Sequence, residues 1–373
     1  MYTKFLAASP RGRNGGGKGP ALLVLVLLLV GVGWLLWREG YFGGTRTTLT
    51  TSTLTNTVVV RTPTNQPPVR SLVSTALVSR SALTTTATNG PPAAVLETQI
   101  ALDRIGISSG SIDGVAGSQT RAAVRAFRAR EGLPPTGELD SVTRAKLVLA
   151  APSLASYRVE SADLARLLPM SATWLGKSEQ ARLDFESLLE LVSEKTHAHP
   201  NLIRWLNAAV DWNAVQPGAE IIVPSVERER PSARAAFIQI RLADRTLEAF
   251  DANNKLLAHF PCSIAQRMEK RPVGELHVAV VAPNPNYTFD PEVFPESAEA
   301  RQLARKLILP PGPNNPVGAV WIGLDRPGYG IHGTPKPEDV GRTESHGCFR
   351  LANWNVEHLL QLVAVGTVVK VEP

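Results

Sequence analysis

Tyr329-Gly-Ile-His-Gly-Thr-Pro335 and, shortly after it, Ser345-His-Gly-Cys-Phe-Arg-Leu351 are the two runs from which the rest of the chain is read. A thiol does chemistry only as its thiolate, and a neighbouring imidazole both accepts the proton and steadies the charge. Cys348 is framed by two imidazoles, His332 and His346, and Gly347 beside it leaves backbone N–H groups open to a substrate oxygen. A Cys–His hydrolase or transferase is the reading these residue types favour. Two others compete with it. His332, His346 and Cys348 are also a conceivable set of catalytic zinc ligands, but no carboxylate holds the companion position such an enzyme's base needs. A buried structural thiol is the third, set against the tight, polar setting of Ser-His-Gly-Cys.

Working outward, the pattern upstream is that of strands. Residues 237–242 alternate apolar and polar, 247–250 read as their partner across Asp244-Arg245, and 256–264, 276–281, 317–322 and 366–371 continue the series. A β-rich domain over 235–373 follows. Cys262, in Phe-Pro-Cys-Ser-Ile, reads as a small core residue of a strand, the alternative being a redox partner for Cys348.

These runs resemble the L,D-transpeptidase (YkuD-like) catalytic domain. His332-Gly-Thr and Ser345-His-Gly-Cys-x-Arg350-Leu351 carry the resemblance, supported by Phe260-Pro-Cys-Ser-Ile264, Arg271-Pro-Val-Gly274-Glu-Leu, Pro311-Gly-Pro-Asn-Asn-Pro-Val-Gly318 and Trp321-Ile-Gly-Leu324, over 236–372. Arg271-Pro-Val-Gly274 stands where the family usually has Thr-Pro-x-Gly, which is expected to alter a loop rather than the chemistry. The resemblance implies a mixed sheet with Cys348 as nucleophile and His332 as general base. It implies that His346, Ser345 and Gly347 form the oxyanion-side loop, and that Arg350, Tyr329 and Trp321 meet substrate. The implied substrate is a peptidoglycan stem peptide. Cys348 would attack the carbonyl between a diamino acid and D-Ala, expel D-Ala and leave a thioester. An amine of a neighbouring stem then gives a 3-3 cross-link, whereas water gives an L,D-carboxypeptidase and a D-amino acid or protein lysine gives an attachment product. Neither cofactor nor metal is expected. The alternative from another class is a non-catalytic peptidoglycan-binding anchor, which is expected to have lost the cysteine or a histidine; none is missing.

Before this domain, residues 93–150 place apolar residues at helical spacing around a Gly-rich turn at 109–117, a second helix from Ser118 or Gln119 ending at Gly132, and a third near Ser141. A small three-helix bundle is predicted. Gln99-x-x-Leu102, Ile112-Asp-Gly-x-x-Gly117, Phe127 and Thr136-Gly137 resemble the type 1 peptidoglycan-binding domain, which makes Asp113, Gly114 and Gly117 candidate peptidoglycan contacts. Asp113 capping its own turn is the competing role. Residues 155–226 resemble, more loosely, the LysM glycan-binding repeat in an α/β strand-helix-helix-strand order, interrupted around 169–185; a packing spacer is the other reading. His197-Ala-His199 lacks further ligands at metal spacing.

Composition bounds the remainder. With 43% apolar and 19% charged residues among 373, the chain is neither collagen-like nor wholly disordered, and two cysteines exclude a disulfide scaffold. The net charge of +6 suggests nucleic acid until it is located: residues 1–92 hold +8 and the rest −2, which leaves no broad phosphate-tracking surface. Residues 1–20 form a basic tail. Residues 21–37 are seventeen apolar residues in a row, and 21–38 is read as a transmembrane anchor with a cytoplasmic N-terminus, a cleaved signal peptide being the alternative. Residues 39–92 read as a disordered linker, Ser and Thr being 20 of the 45 residues from Thr45 to Asn89. The expected location is a bacterial inner membrane, single-pass, with the catalytic domain in the periplasm or cell wall.

Overall fold

The computed structural model describes residues 93–373 apart from 148, 150, 229, 294–296, 304 and 346. The basic tail, anchor and linker expected from the sequence lie outside the described residues. Among the described residues no helix is long and apolar enough to cross a membrane.

The first module has the three predicted helices, α1 (Ala93–Arg104), α2 (Ser118–Arg130) and α3 (Ser141–Lys146). Helix α1 is buried on two sides: Leu102 packs with Val124 and Phe127 of α2, while Leu96 and Ile100 join the core of the next segment. Gly132, at φ +69°, ends α2. Asp140 caps α3 by accepting from the Thr143 N–H at 2.8 Å and holds Arg128 at 2.7 Å.

The second segment pairs β1 (Leu154–Arg158) antiparallel with β2 (Glu220–Pro224), enclosing the helices α4 (Ser161–Leu164), α6 (Leu188–Lys195) and α7 (Pro200–Leu206). Four helices lie between the strands where two were expected, and one of them, α5 (Trp174–Glu179), falls in the interruption. Phe185, at the end of the interruption, belongs to the β1–β2 core, but the residues before it do not. Met170, Trp174 and Leu183 pack instead with Tyr287, Phe289 and Leu309 of the third domain. The two histidines of His197-Ala-His199 have separate structural duties. His197 Nδ1 lies 2.7 Å from the Asp103 carboxylate, and His199 Nδ1 accepts from the Asn201 N–H to cap α7.

The third domain is an eight-stranded sheet in the order β11-β10-β9-β6-β12-β3-β4-β5. Its strands are β3 (Phe237–Arg241), β4 (Thr246–Phe250), β5 (Leu256–Pro261), β6 (Gly274–Pro283), β9 (Val320–Leu324), β10 (Gly330–His332), β11 (Phe349–Arg350) and β12 (Val368–Glu372). Only β12 with β3 and β10 with β11 run parallel. Helix α8 (Asn353–Leu362) covers one face with Val356, Leu359 and Leu362. Between β6 and β9 the chain makes an excursion with its own two-stranded ladder, β7 (Tyr287–Phe289) and β8 (Leu307–Leu309).

Two strand expectations need correction. The strand from Leu256 stops at Pro261 rather than running to 264, because proline brings no N–H to the ladder. Beyond it Ser263 bridges Arg350 and Ala265 bridges Ser345, which ties this segment to the Ser-His-Gly-Cys loop. The strand expected from Val317 begins only at Val320. Gly318 turns the chain at φ +62°, where a Cβ would stand 2.1 Å from the Asn353 side-chain oxygen.

The three modules meet at a buried charge cluster. Asp103 of α1 pairs with His197 and with Arg228, which also reaches Asn355 at 2.9 Å and the Trp354 carbonyl at 3.3 Å in α8.

Candidate active site

Parallel pairing of β10 with β11 sets Ile331 opposite Phe349 and His332 opposite Arg350. Cys348, one residue before β11, therefore falls beside Gly330. The Gly330 N–H hydrogen-bonds the sulfur, and the Gly328 carbonyl lies 3.5 Å from it. Burial pushes the Cys348 thiol upward, and the Gly330 N–H opposes this by stabilising the thiolate.

His332 is buried, and its Nδ1 donates to the Gly333 carbonyl at 2.6 Å. That bond places the neutral ring's proton on Nδ1 and leaves Nε2 as the acceptor, the form a base needs. Burial pushes its pKa down to about 4, with the Arg350 charge adding to the shift and the Gly333 bond resisting it. The resting groups are thus a neutral imidazole and a neutral thiol. Trp321 stacks on the His332 ring at 5.7 Å. Its indole lies over Gly330, where a Cβ would be 2.5 Å from the ring.

The loop around the nucleophile is held by Ser345. Its hydroxyl donates to the Cys348 carbonyl at 2.6 Å, and its backbone pairs with Ile264 and Gln266. One expectation is corrected here. The Gly347 N–H, anticipated as open to an oxyanion, donates to Ser345 Oγ at 3.3 Å, because the turn folds back on its own serine. His346 lies outside the described residues. Arg350 lines the cleft, but one of its amino groups is committed to the Glu344 carbonyl and to Thr343 Oγ1, which orders the preceding loop. Its Nε is buried with no hydrogen-bond partner among the described residues. Tyr329 and Trp321 both line the same cleft, of about 820 Å³, with His332 and Cys348.

Three further residues shape the site and were not anticipated. Asn353, fully buried, accepts the N–H groups of Ala319 and Thr334 on Oδ1 and so fixes the loop after His332. Lys270 brings a second cation to the cleft, and Trp174 reaches it from the interruption of the second segment. Arg271, at the expected loop departure, donates to the carbonyls of Ala265 and Gln266, so the altered residue braces that loop.

The other candidates lie elsewhere. Cys262 is buried in the sheet core with its thiol pushed up to about 12 by burial, and both cysteines are free thiols. Gln99 Oε1 accepts the N–H groups of Asp113 and Gly114, while its amide donates to Asp113 and Thr120, so the Asp113-Gly114 turn is satisfied internally. Gly117 begins α2 as its N-cap residue. Among the described residues no three His, Cys, Asp or Glu side chains gather as metal ligands.

Residues 235–371 match the family described as "L,D-transpeptidase catalytic domain", and 92–147 the family described as "Putative peptidoglycan binding domain". The chain carries an L,D-transpeptidase catalytic domain preceded by a peptidoglycan-binding domain. It is 37% identical over 120 residues to "Putative L,D-transpeptidase YqjB" of Bacillus subtilis, spanning 31% of this chain and 59% of that protein. It is 27% identical over 167 residues to "Putative L,D-transpeptidase YkuD" of Bacillus licheniformis, spanning 45% of this chain and 82% of that protein. A solved L,D-transpeptidase from Xylanimonas cellulosilytica aligns over 76% of this chain and 95% of its own, at 15% identity and a TM-score of 0.33.

Proposed function

We propose that this protein is a peptidoglycan L,D-transpeptidase that works through a Cys348 thioester. The observation that supports this reading most is the pairing of β10 with β11, which sets an Nε2-accepting His332 and the Cys348 thiol in one cleft. In the forward half-reaction the thiol proton passes to His332 Nε2 as sulfur attacks the carbonyl between the diamino acid and the terminal D-Ala. The same proton leaves with the D-Ala amine, and the acyl group stays on sulfur. In the second half-reaction an amine of a neighbouring stem gives up a proton to His332, attacks the thioester and restores the thiol, which closes a 3-3 cross-link.

The binding domain and the sequence of the N-terminal ninety residues support a setting at the wall, with residues 21–38 anchoring the chain in the inner membrane and the catalytic domain outside it. The 155–226 segment serves as a brace rather than a free glycan binder. It is tied to the catalytic domain by Asn314 to Glu190 at 2.7 Å and Asn353 to Glu194 at 2.9 Å.

The test uses the full chain in detergent with a defined tetrapeptide-stem muropeptide and mass detection of protein and products. Wild type is expected to form an acyl-enzyme, release D-Ala and yield a cross-linked dimer, and Cys348→Ala is expected to form no adduct. An unchanged adduct mass in Cys348→Ala overturns the reading. Release of D-Ala with only a shortened stem makes the chain a carboxypeptidase instead.

A further inference from the structure

The segment between 169 and 185 interrupts a β1–β2 unit that closes without it: the Leu168 N–H bonds the Phe185 carbonyl at 2.8 Å, so the chain leaves and returns at one point. The excursion is nevertheless pinned firmly to the catalytic domain. The Leu183 N–H bonds the Pro311 carbonyl at 2.9 Å, and the Asn314 N–H returns to the Leu183 carbonyl at 3.0 Å. Gly312, at φ +148°, allows this approach, since a Cβ there would sit 2.0 Å from the Leu183 carbonyl oxygen. The Glu299 carboxylate accepts the N–H groups of Trp174 and Leu175, both at 3.0 Å, and fixes the start of α5. Trp174 then stacks on the fully buried Phe289 at 4.3 Å and 15°.

The β1–β2 core does not use Trp174, whose packing partners all belong to the catalytic domain's excursion or its own segment. What this arrangement delivers is a half-buried indole in the wall of the cleft that holds Cys348 and His332. That stretch of wall is apolar, made by Trp174, Tyr287, Val293 and Pro316, while the cations Lys270 and Arg350 also face the cleft. Stacked on Phe289 and with the Lys177 ammonium 5.4 Å from its ring centroid, the indole is already fixed in place, so a substrate that packs on the part lining the cleft costs little further entropy.

We infer that Trp174 is a specificity-determining residue of the transpeptidase site, packing against the apolar surface of the bound stem peptide. The interruption in the second segment is then a cleft wall supplied from outside the catalytic domain. The inference rests on the stem-peptide reading of the site.

Its test separates the two. Binding is measured calorimetrically on the full Cys348→Ala chain with the free tetrapeptide stem, with and without Trp174→Ala. Turnover and acylation by a small carbapenem are measured on Trp174→Ala and Trp174→Phe with Cys348 intact. Trp174→Ala is expected to weaken stem binding and raise KM about tenfold, the loss of roughly one stacking contact. Its kcat and carbapenem acylation are expected to stay near wild type, with Trp174→Phe recovering most of the affinity. Unchanged stem affinity in Trp174→Ala overturns the inference, as does a parallel fall in carbapenem acylation, which would mark a structural role. Loss of binding confined to disaccharide-bearing stems also overturns it. A wild-type chain that binds the stem with Trp174-dependent affinity yet forms no acyl-enzyme would sink the catalytic reading and leave the binding inference standing.

Discussion

The Asn353 side-chain amide donates to Glu194 Oε1 at 2.9 Å, joining residues 159 positions apart, while the same side chain holds the backbone just beyond His332. A carboxyl of the second segment is thereby connected through one buried amide to the loop that follows His332. Burial pushes the Glu194 pKa up to about 8, with the Asn353 hydrogen bond opposing, so the group is largely protonated at neutral pH. A carboxyl whose folded value exceeds its unfolded value of about 4.3 binds more protons when folded, and stability falls as pH rises between the two values.

Glu194→Gln keeps the shape and removes the titration. Relative to this variant, the wild-type melting temperature is expected to fall by several degrees between pH 5 and pH 8. Parallel pH dependence of the two proteins would contradict the assignment.

The state of the catalytic pair sets the pH dependence of acylation. With the His332 pKa near 4, the base stays neutral well below the ordinary histidine range of about 6.5, and the acid limb of kcat/KM is expected near pH 4. Because burial raises the thiol, iodoacetamide should alkylate Cys348 more slowly at pH 7 than it alkylates a free cysteine. An acid limb centred at 6.5, or rapid alkylation at neutral pH, would show a preformed ion pair instead.

Gly330 serves the site in two ways, through its N–H on the sulfur and through the space it leaves for Trp321. Gly330→Ala keeps the N–H but drives a methyl group into the indole. Acylation is expected to fall at least about tenfold for an overpacking cost of roughly 1–3 kcal/mol. Replacing Trp321 by Phe in that variant should restore part of the rate, and full activity of Gly330→Ala alone would refute the packing argument.

Asp103 is the anion on which the modules converge. Burial alone would raise its carboxyl, but Arg228 and His197 outweigh burial and hold it well below the usual carboxylate range. Its contribution is present above an unfolded value near 4 and is lost as pH falls through the folded one. Asp103→Asn leaves the buried Arg228 guanidinium without its counter-charge and is expected to cost about 3–5 kcal/mol in denaturant unfolding. A change below about 1 kcal/mol would mean that water already screens the cluster.

What was legible in the sequence is what two short runs carry. That Cys348 and His332 share one cleft was readable because they sit at the ends of adjacent strands, each within a contiguous motif. The strands of the sheet were readable from alternation, except where Pro261 and Gly318 cut them short for lack of an N–H or a Cβ. Asn353, Glu194 and Trp174 were not readable. Each acts across more than a hundred residues, and nothing local in Leu-Ala-Asn-Trp-Asn or Ala-Thr-Trp-Leu distinguishes a cleft residue from an ordinary one. The Gly347 N–H was misread because composition reports that a glycine is present, not where its amide points.

Strand β12 lies between β3 and β6, with two further strands beyond β3 and three beyond β6. In the sheet, residues 368–372 join two half-sheets that otherwise meet through the Ser263–Arg350 and Ala265–Ser345 bridges, one half holding both His332 and Cys348. Closing it requires contacts between strands more than a hundred residues apart, which makes assembly slow by topology. The cleft that holds Cys348 and His332 therefore lies in a sheet whose central seam is non-local. A polypeptide still being made has no central seam until residues 368–372 have been added.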